Sequence, residues 1–214
     1  VLVLISGGGS ALWSAPRPPL NLAQKQEVTK ALLRSGATIS EVNCVRKHLS
    51  LIKGGRLADA IAEHVELVTI AISDVPGDDP SAIASGPTVA DPTSSAEALA
   101  IIERYAIDLP ESARTALQSA SKTEPRKNRG SFILAATPAI ALEVARMEAE
   151  KAGFEVRMLG ADLEGEARIV APKKAREALQ RDEGGGAPTT LRLGGRCTVS
   201  DRGTGPRCAH QPWA

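Results

Sequence analysis

Asp74, Asp78 and Asp79 fall close together in Ser73-Asp74-Val75-Pro76-Gly77-Asp78-Asp79. Such carboxylates could hold Mg²⁺, which takes one or two of them and completes its shell with phosphate oxygens and water. One of them, such as Asp74, could also accept the proton of an attacking hydroxyl. Far upstream, Gly7, Gly8 and Gly9 stand between the hydroxyls of Ser6 and Ser10. Glycine lets the backbone approach a ligand, and consecutive N–H groups can cradle an anion. A third set is cationic: Arg46, Lys47, Lys53 and Arg56, with Asn43 beside them. These could neutralise phosphates or a substrate carboxylate. Positioning plus charge neutralisation is what phosphoryl transfer requires. Taken singly, each part has a plainer reading, as a structural turn, a solvated helix face or a set of capping acids.

The elements around these residues decide whether they meet. Apolar, largely β-branched runs predict strands near residues 1–5, 65–72, 131–136 and 154–160. Asn21 with Gln24, Thr38 with Glu41, and Ser94 with Glu97 read as capping boxes opening three helices. Gly36 stops the first. The second is predicted to run towards Ile52, with Val42, Val45, Leu49 and Ile52 on a core arc. Asn43, Arg46, Lys47, Ser50 and Lys53 fall on the neighbouring arc. Residues 57–64 read as helical again, and Thr137-Pro138 opens a further helix. If the strands are parallel, Ser6 to Ser10, Ser73 to Asp79, Thr137 and Asp162 to Glu166 share one edge of the sheet. Ligands of open α/β sheets sit at that edge. The expected fold is a three-layer α/β/α Rossmann-like domain with a mostly parallel sheet, incomplete at both ends, over residues 1–172. Residues 173–214 read as a helix remnant and, from about Asp182, a poorly ordered tail without period.

The chain has 214 residues, 43% of them hydrophobic but only 2% aromatic, so its core must be aliphatic. A net charge of +1 argues against nucleic acid or an anionic membrane as partner. No apolar run reaches bilayer length and no secretory signal is present. Three scattered cysteines make no disulfide framework, which points to the cytoplasm. Cys44 reads as a packing residue, His48 and His64 as surface residues, and residues 122–130 as a surface linker. The chain starts at Val1 inside a strand, which suggests a fragment.

The wording of the loops resembles the glycerate 2-kinase family, whose members often carry a hydroxypyruvate reductase label. The matching stretches run from Leu4-Ile5-Ser6-Gly7-Gly8-Gly9-Ser10-Ala11-Leu12 through Asn43-Cys44-Val45-Arg46-Lys47-His48-Leu49-Ser50 to Lys53-Gly54-Gly55-Arg56-Leu57-Ala58. Ser73 to Asp79, Ile83-Ala84-Ser85-Gly86-Pro87-Thr88 and Glu164-Gly165-Glu166-Ala167-Arg168 complete the set. The resemblance implies ATP-dependent transfer to the 2-hydroxyl of D-glycerate, giving 2-phosphoglycerate, with Mg²⁺. It also implies two α/β domains with the site in their cleft. The residue roles rest on geometry, because a strand-end acid, a glycine loop and a cationic helix face converge if the sheet is parallel. On that reading Lys47, Asp74 and Arg46 are catalytic, and Asp74 and Asp78 hold the metal. Substrate or phosphate binding falls to Ser6 to Ser10, Asn43, Lys53, Arg56, Ser85, Gly86, Thr88, Glu164 and Glu166. Against the family pattern the chain reads as a fragment without the family's N-terminal segment and C-terminal domain, and inactive alone. Leu193 to Val199 and Arg202 to Arg207 are distorted echoes of later family motifs, as a frameshifted or alternatively spliced tail would produce. The alternatives are an NAD(P)H-dependent hydroxypyruvate reductase and a non-catalytic nucleotide-binding product. The reductase reading lacks the third glycine of a dinucleotide fingerprint, because Leu12 stands there.

Overall fold

The aliphatic run at the start of the chain forms β1 (Leu2–Ile5), and two later runs form β2 (Val68–Ile72) and β3 (Ser131–Ala136). The computed structural model of the chain describes residues 1–120, 129–160, 163–182, 189–192 and 194–198. The three strands make a parallel sheet in the order β1-β2-β3, with Leu4 opposite Ile70 and Ile70 opposite Ile133. Parallel neighbours need long crossovers, and helices supply them. Between β1 and β2 lie α1 (Gly9–Leu12), α2 (Leu22–Ser35), α3 (Ile39–His48) and α4 (Arg56–Asp59). Between β2 and β3 lie α5 (Ser95–Arg104) and α6 (Glu111–Ala120). The fold class is α/β with a parallel sheet.

All three capping boxes form, with Asn21, Thr38 and Ser94 each bonded reciprocally to the residue three places on. Gly36 ends α2 at φ 84°, a left-handed turn that glycine makes without strain. The end of α3 departs from the sequence expectation: it stops at His48, not at Ile52. Beyond it the chain pairs with the proline-rich loop, where Arg17 N–H donates to the Leu49 carbonyl at 3.1 Å and Leu51 N–H to the Ala15 carbonyl at 2.9 Å. Ser50 Oγ accepts the N–H groups of Ile52 and Lys53, each at 3.3 Å. These partners replace the bonds of a longer helix, so Ser50 and Lys53 do not share a helical arc with Arg46. Similarly, α4 is one turn rather than a helix reaching His64.

Two apolar clusters anchor these elements. One draws Val28, Leu32, Val42, Val45, Leu49, Ala98, Ile101, Ile102 and Leu117 from α2, the α3 region, α5 and α6. The other sets Val3, Ile5 and Ala71 of the sheet against Ala58, Ile83 and Ala84. Side chains alternate along a strand, so Leu2 and Leu4 point away from that cluster and are 60% and 69% exposed. The first strand therefore buries one face, not both.

The chain divides into two compact units, residues 1–137 and 138–214. The second contains α7 (Pro138–Lys151), β4 (Glu155–Met158), β5 (Leu163–Glu166), α8 (Ala167–Asp182), β6 (Thr189–Arg192) and β7 (Gly195–Thr198). Here β4 pairs in parallel with β6, and β5 with β7. Thus β4 makes its ladder with a strand from the stretch read as lacking period. Residues 183–188, 193 and 199–214 of that stretch lie outside the described residues, as do residues 121–128 of the linker. No helix among the described residues is long and apolar enough to cross a membrane.

Candidate active site

Because β1, β2 and β3 run parallel, the loops after them leave the same edge of the sheet. Two of these loops touch. A Cβ placed on Gly7 would lie 3.1 Å from Asp74 Oδ2, so any larger residue there would press on the carboxylate. Ser6, Gly7 and Gly8 are exposed, and Asp74 is half-buried. Asp78 has a left-handed backbone at φ 54°, and its Oδ1 is buried with no hydrogen-bond partner among the described residues. Asp79 instead accepts the N–H and hydroxyl of Ser81 at 2.8 and 2.9 Å, a turn-capping role. Among the described residues no group of three or more His, Cys, Asp or Glu could hold a metal. A Mg²⁺ bound by Asp74 and Asp78 would take its other ligands from phosphate and water, and the unpartnered Asp78 oxygen fits that use.

Ser10 is the meeting point of four segments. Its hydroxyl lies 2.7 Å from Ser85 Oγ, and its carbonyl accepts from Arg46 Nη2 and Lys53 Nζ, both at 2.8 Å. Asn43 Oδ1 accepts from Arg46 Nη1 at 3.1 Å and so orients that guanidinium. Ala84, Ser85 and Gly86 are consecutively left-handed at φ 50°, 65° and 56°, a strained run for the two non-glycine residues. It turns the carbonyls of Ser85 and Gly86 onto the N–H groups of Gly54 and Gly55 at 3.0 and 2.7 Å. The Lys53–Arg56 loop is thereby tied to the Ser85–Gly86 loop beneath Ser10.

Lys47 and Arg56 face inward. Lys47 Nζ lies 3.1 Å from Asp91 Oδ1, with the two side chains 6% and 7% exposed. Thr93 donates to the same oxygen from its N–H at 3.0 Å and its hydroxyl at 2.7 Å. Burial works to raise the Asp91 pKa, but the Thr93 bonds and the Lys47 ammonium outweigh it and hold the carboxyl below its usual range. Arg56 donates to the carbonyls of Lys47 and Lys53 at 3.0 and 2.8 Å. It also reaches His48 Nδ1 at 3.1 Å. His48 is buried, not on the surface as expected. Burial, with Arg56 beside it, pushes its pKa down to about 4 against the opposing pull of Asp91. The ring is therefore neutral: Nδ1 accepts from Arg56, and Nε2 faces Thr93 Oγ1 at 3.3 Å as its donor.

Thr88 is buried and accepts from Thr69 Oγ1 at 2.9 Å, which ties its loop to β2. Glu164 and Glu166 lie on β5 in the second unit, where Glu166 sits 3.5 Å from Arg168. The structure thus brings together Ser6 to Ser10, Asp74, Asn43, Arg46, Lys53, Ser85 and Gly86 within the first unit. Sequence reading missed Asp91 and Thr93, although Asp91-Pro92-Thr93 is a recognisable turn in which the carboxylate caps its own backbone. It also missed Lys25. The spacing of Lys25 with Val28 and Leu32, i, i+3 and i+7, already put it on the buried face of α2.

Residues 1–118 match the family described as domain of unknown function (DUF4147). An Agrobacterium vitis protein provisionally named as a hydroxypyruvate reductase is 55% identical over 205 residues, covering 94% of this chain and 46% of that protein. The glycerate 2-kinase of Pyrococcus horikoshii is 39% identical over 217 residues, covering 96% of this chain and 49% of the kinase. The crystal structure of a Thermotoga maritima glycerate kinase superposes with a TM-score of 0.78 at 33% identity, covering 97% of this chain and 50% of that one. The chain spans about half the length of the curated relatives it matches.

Proposed function

This chain belongs to the DUF4147 family, that of the glycerate 2-kinases, and on that premise we propose that it carries part of an ATP-dependent, cytoplasmic kinase site. The site phosphorylates the 2-hydroxyl of D-glycerate and gives 2-phosphoglycerate. The observation that carries the proposal is the contact between the glycine loop and the acid loop, 3.1 Å from the Gly7 Cβ position to Asp74. It sets a backbone able to receive a phosphate beside a carboxylate able to take a proton or a cation. Asp74 acts on the attacking hydroxyl or, together with Asp78, would hold Mg²⁺. When bound, Mg²⁺ neutralises charge on the transferring group. Ser6 to Ser10 receive the anionic reactant through backbone N–H groups. Arg46, held by Asn43 and Ser10, supplies positive charge at that loop. Lys47 acts through Asp91 as a positioning residue, since its ammonium is already paired and buried.

The test is transfer of the γ-phosphate of labelled ATP to D-glycerate, with 2- and 3-phosphoglycerate separated. It is run with this chain alone and with an intact protein carrying the segment. The expected product from the intact protein is 2-phosphoglycerate, and the half-length chain is expected to give none. The hydroxypyruvate reductase name of the Agrobacterium relatives supports a second reading. NADH consumption with hydroxypyruvate, without label transfer, would select it and overturn the kinase assignment.

A further inference from the structure

Lys25 occupies a core position of α2, 5% exposed, and its Nζ makes no hydrogen bond among the described residues. An aliphatic residue would pack there beside Val28 and Leu32 without leaving an ammonium unpaired. Its surroundings add positive charge. Burial first, then Arg46 and Arg56, push the Lys25 pKa down to about 8. Lys53, 2% exposed, is pushed down to about 7 by burial, then by Arg46 and Lys25. Neutral groups accept several hydrogen bonds from these cations. Arg46 and Lys53 share the Ser10 carbonyl, Arg46 also holds the Asn43 amide oxygen, and Arg56 holds the Lys47 and Lys53 carbonyls and a neutral His48. The neighbouring carboxylate, Asp91, gives its Oδ1 to Lys47 and Thr93, and its buried Oδ2 has no hydrogen-bond partner among the described residues.

We propose that the Lys25–Arg46–Lys53 cluster behind Ser10 is an oxyanion-binding site with the unpartnered Lys25 ammonium at its base. It receives the carboxylate of the hydroxy acid or a phosphoryl group of the nucleotide. That choice of anions rests on the kinase reading above; the existence of the site rests on the unpaired buried cation. An anion there completes charge-assisted hydrogen bonds that the protein leaves open.

The test uses the 214-residue chain and three separate probes, D-glycerate, inorganic phosphate and ATP, by calorimetry and thermal unfolding. At least one probe should bind the wild type and raise its Tm. Lys25→Met should bind that probe at least about tenfold more weakly, the loss of roughly one charge-assisted hydrogen bond. Without the probe, its Tm should equal or exceed the wild type. Lys25→Arg, which keeps the charge, should retain binding. Selective binding of D-glycerate assigns the site to the carboxylate; binding of phosphate and ATP assigns it to the phosphoryl group. A merely structural lysine would give the opposite pattern, a lower Tm for Lys25→Met with unchanged affinity. That pattern, or failure of all three probes to bind the wild type, overturns the proposal. Should Lys25→Met not fold, Lys25→Gln is subject to the same criteria, and failure of both to fold also counts against it. Anion binding that depends on Lys25, with no phosphate transfer in the intact protein, would sink the kinase reading and leave this site standing. Transfer that survives Lys25→Met with unchanged KM would do the reverse.

Discussion

Removing the ammonium of Lys47 would leave Asp91 buried without its counter-ion, since the two are 3.1 Å apart and almost fully enclosed. Breaking a buried pair from one side costs about 3–5 kcal/mol. Lys47→Met is therefore expected to lower stability by that order, measured as a lower urea midpoint at unchanged slope. Asp74 is half-buried at the mouth of the glycine loop. Asp74→Ala should leave the midpoint nearly unchanged and lower kcat of an intact protein carrying this segment by about 10²–10³, as loss of one transition-state partner does. Near-normal kcat in a folded Asp74→Ala protein would remove this residue from the site.

At the scale of elements, the strained turn at Ala84 to Gly86 is what binds the cation-bearing loop to the glycine loop. A non-glycine residue held left-handed costs about 1–3 kcal/mol, and here Ala84 and Ser85 both accept that conformation. Gly86 has less freedom to change: at φ 56°, its Cβ would lie 2.9 Å from the Ser81 backbone. Gly86→Ala should therefore cost more than about 1 kcal/mol and loosen the bond from Gly55 to the Gly86 carbonyl. Ser85→Gly relieves strain but gives up the contact with Ser10, so its effect on stability should be smaller. Denaturant titration of both variants, with amide exchange read at Gly54 and Gly55, checks the order. Equal losses would show that the turn is not what holds the loop.

For the molecule as a whole, the buried bases give stability a pH dependence of definite sign. Lys53 and Lys25 titrate at about 7 and 8 in the fold, against 10.5 ordinarily. Between those values the unfolded chain binds more protons than the folded one, so stability rises with pH across that window. His48, at about 4 against 6.5, contributes a rise at lower pH by the same rule. Asp91 is held below its ordinary value, so its share is present above that value and lost as the solution turns acid. Tm measured at pH 6, 8 and 9.5 is expected to climb, and Lys53→Met should flatten the climb. A Tm that falls over this range would contradict the burial of these cations.

The amino-acid sequence by itself determined the features that depend on near neighbours in the chain. The three capping boxes close within three residues, and the strands β1 to β3 announce themselves as apolar runs between turns. The glycine loop and the acid loop were legible for the same reason, as was their common edge once the sheet was taken as parallel. Tertiary structure alone decided where the charges went. The end of α3 was set by backbone partners at Ala15 and Arg17, far from any local stop signal. Lys47 and Arg46 are adjacent in sequence, yet one turns to Asp91, 44 residues away, and the other to the Ser10 carbonyl. Hydrophobic period assigns a face to a helix, but a buried ammonium must find a partner in space, and which segments meet there is a property of the folded chain.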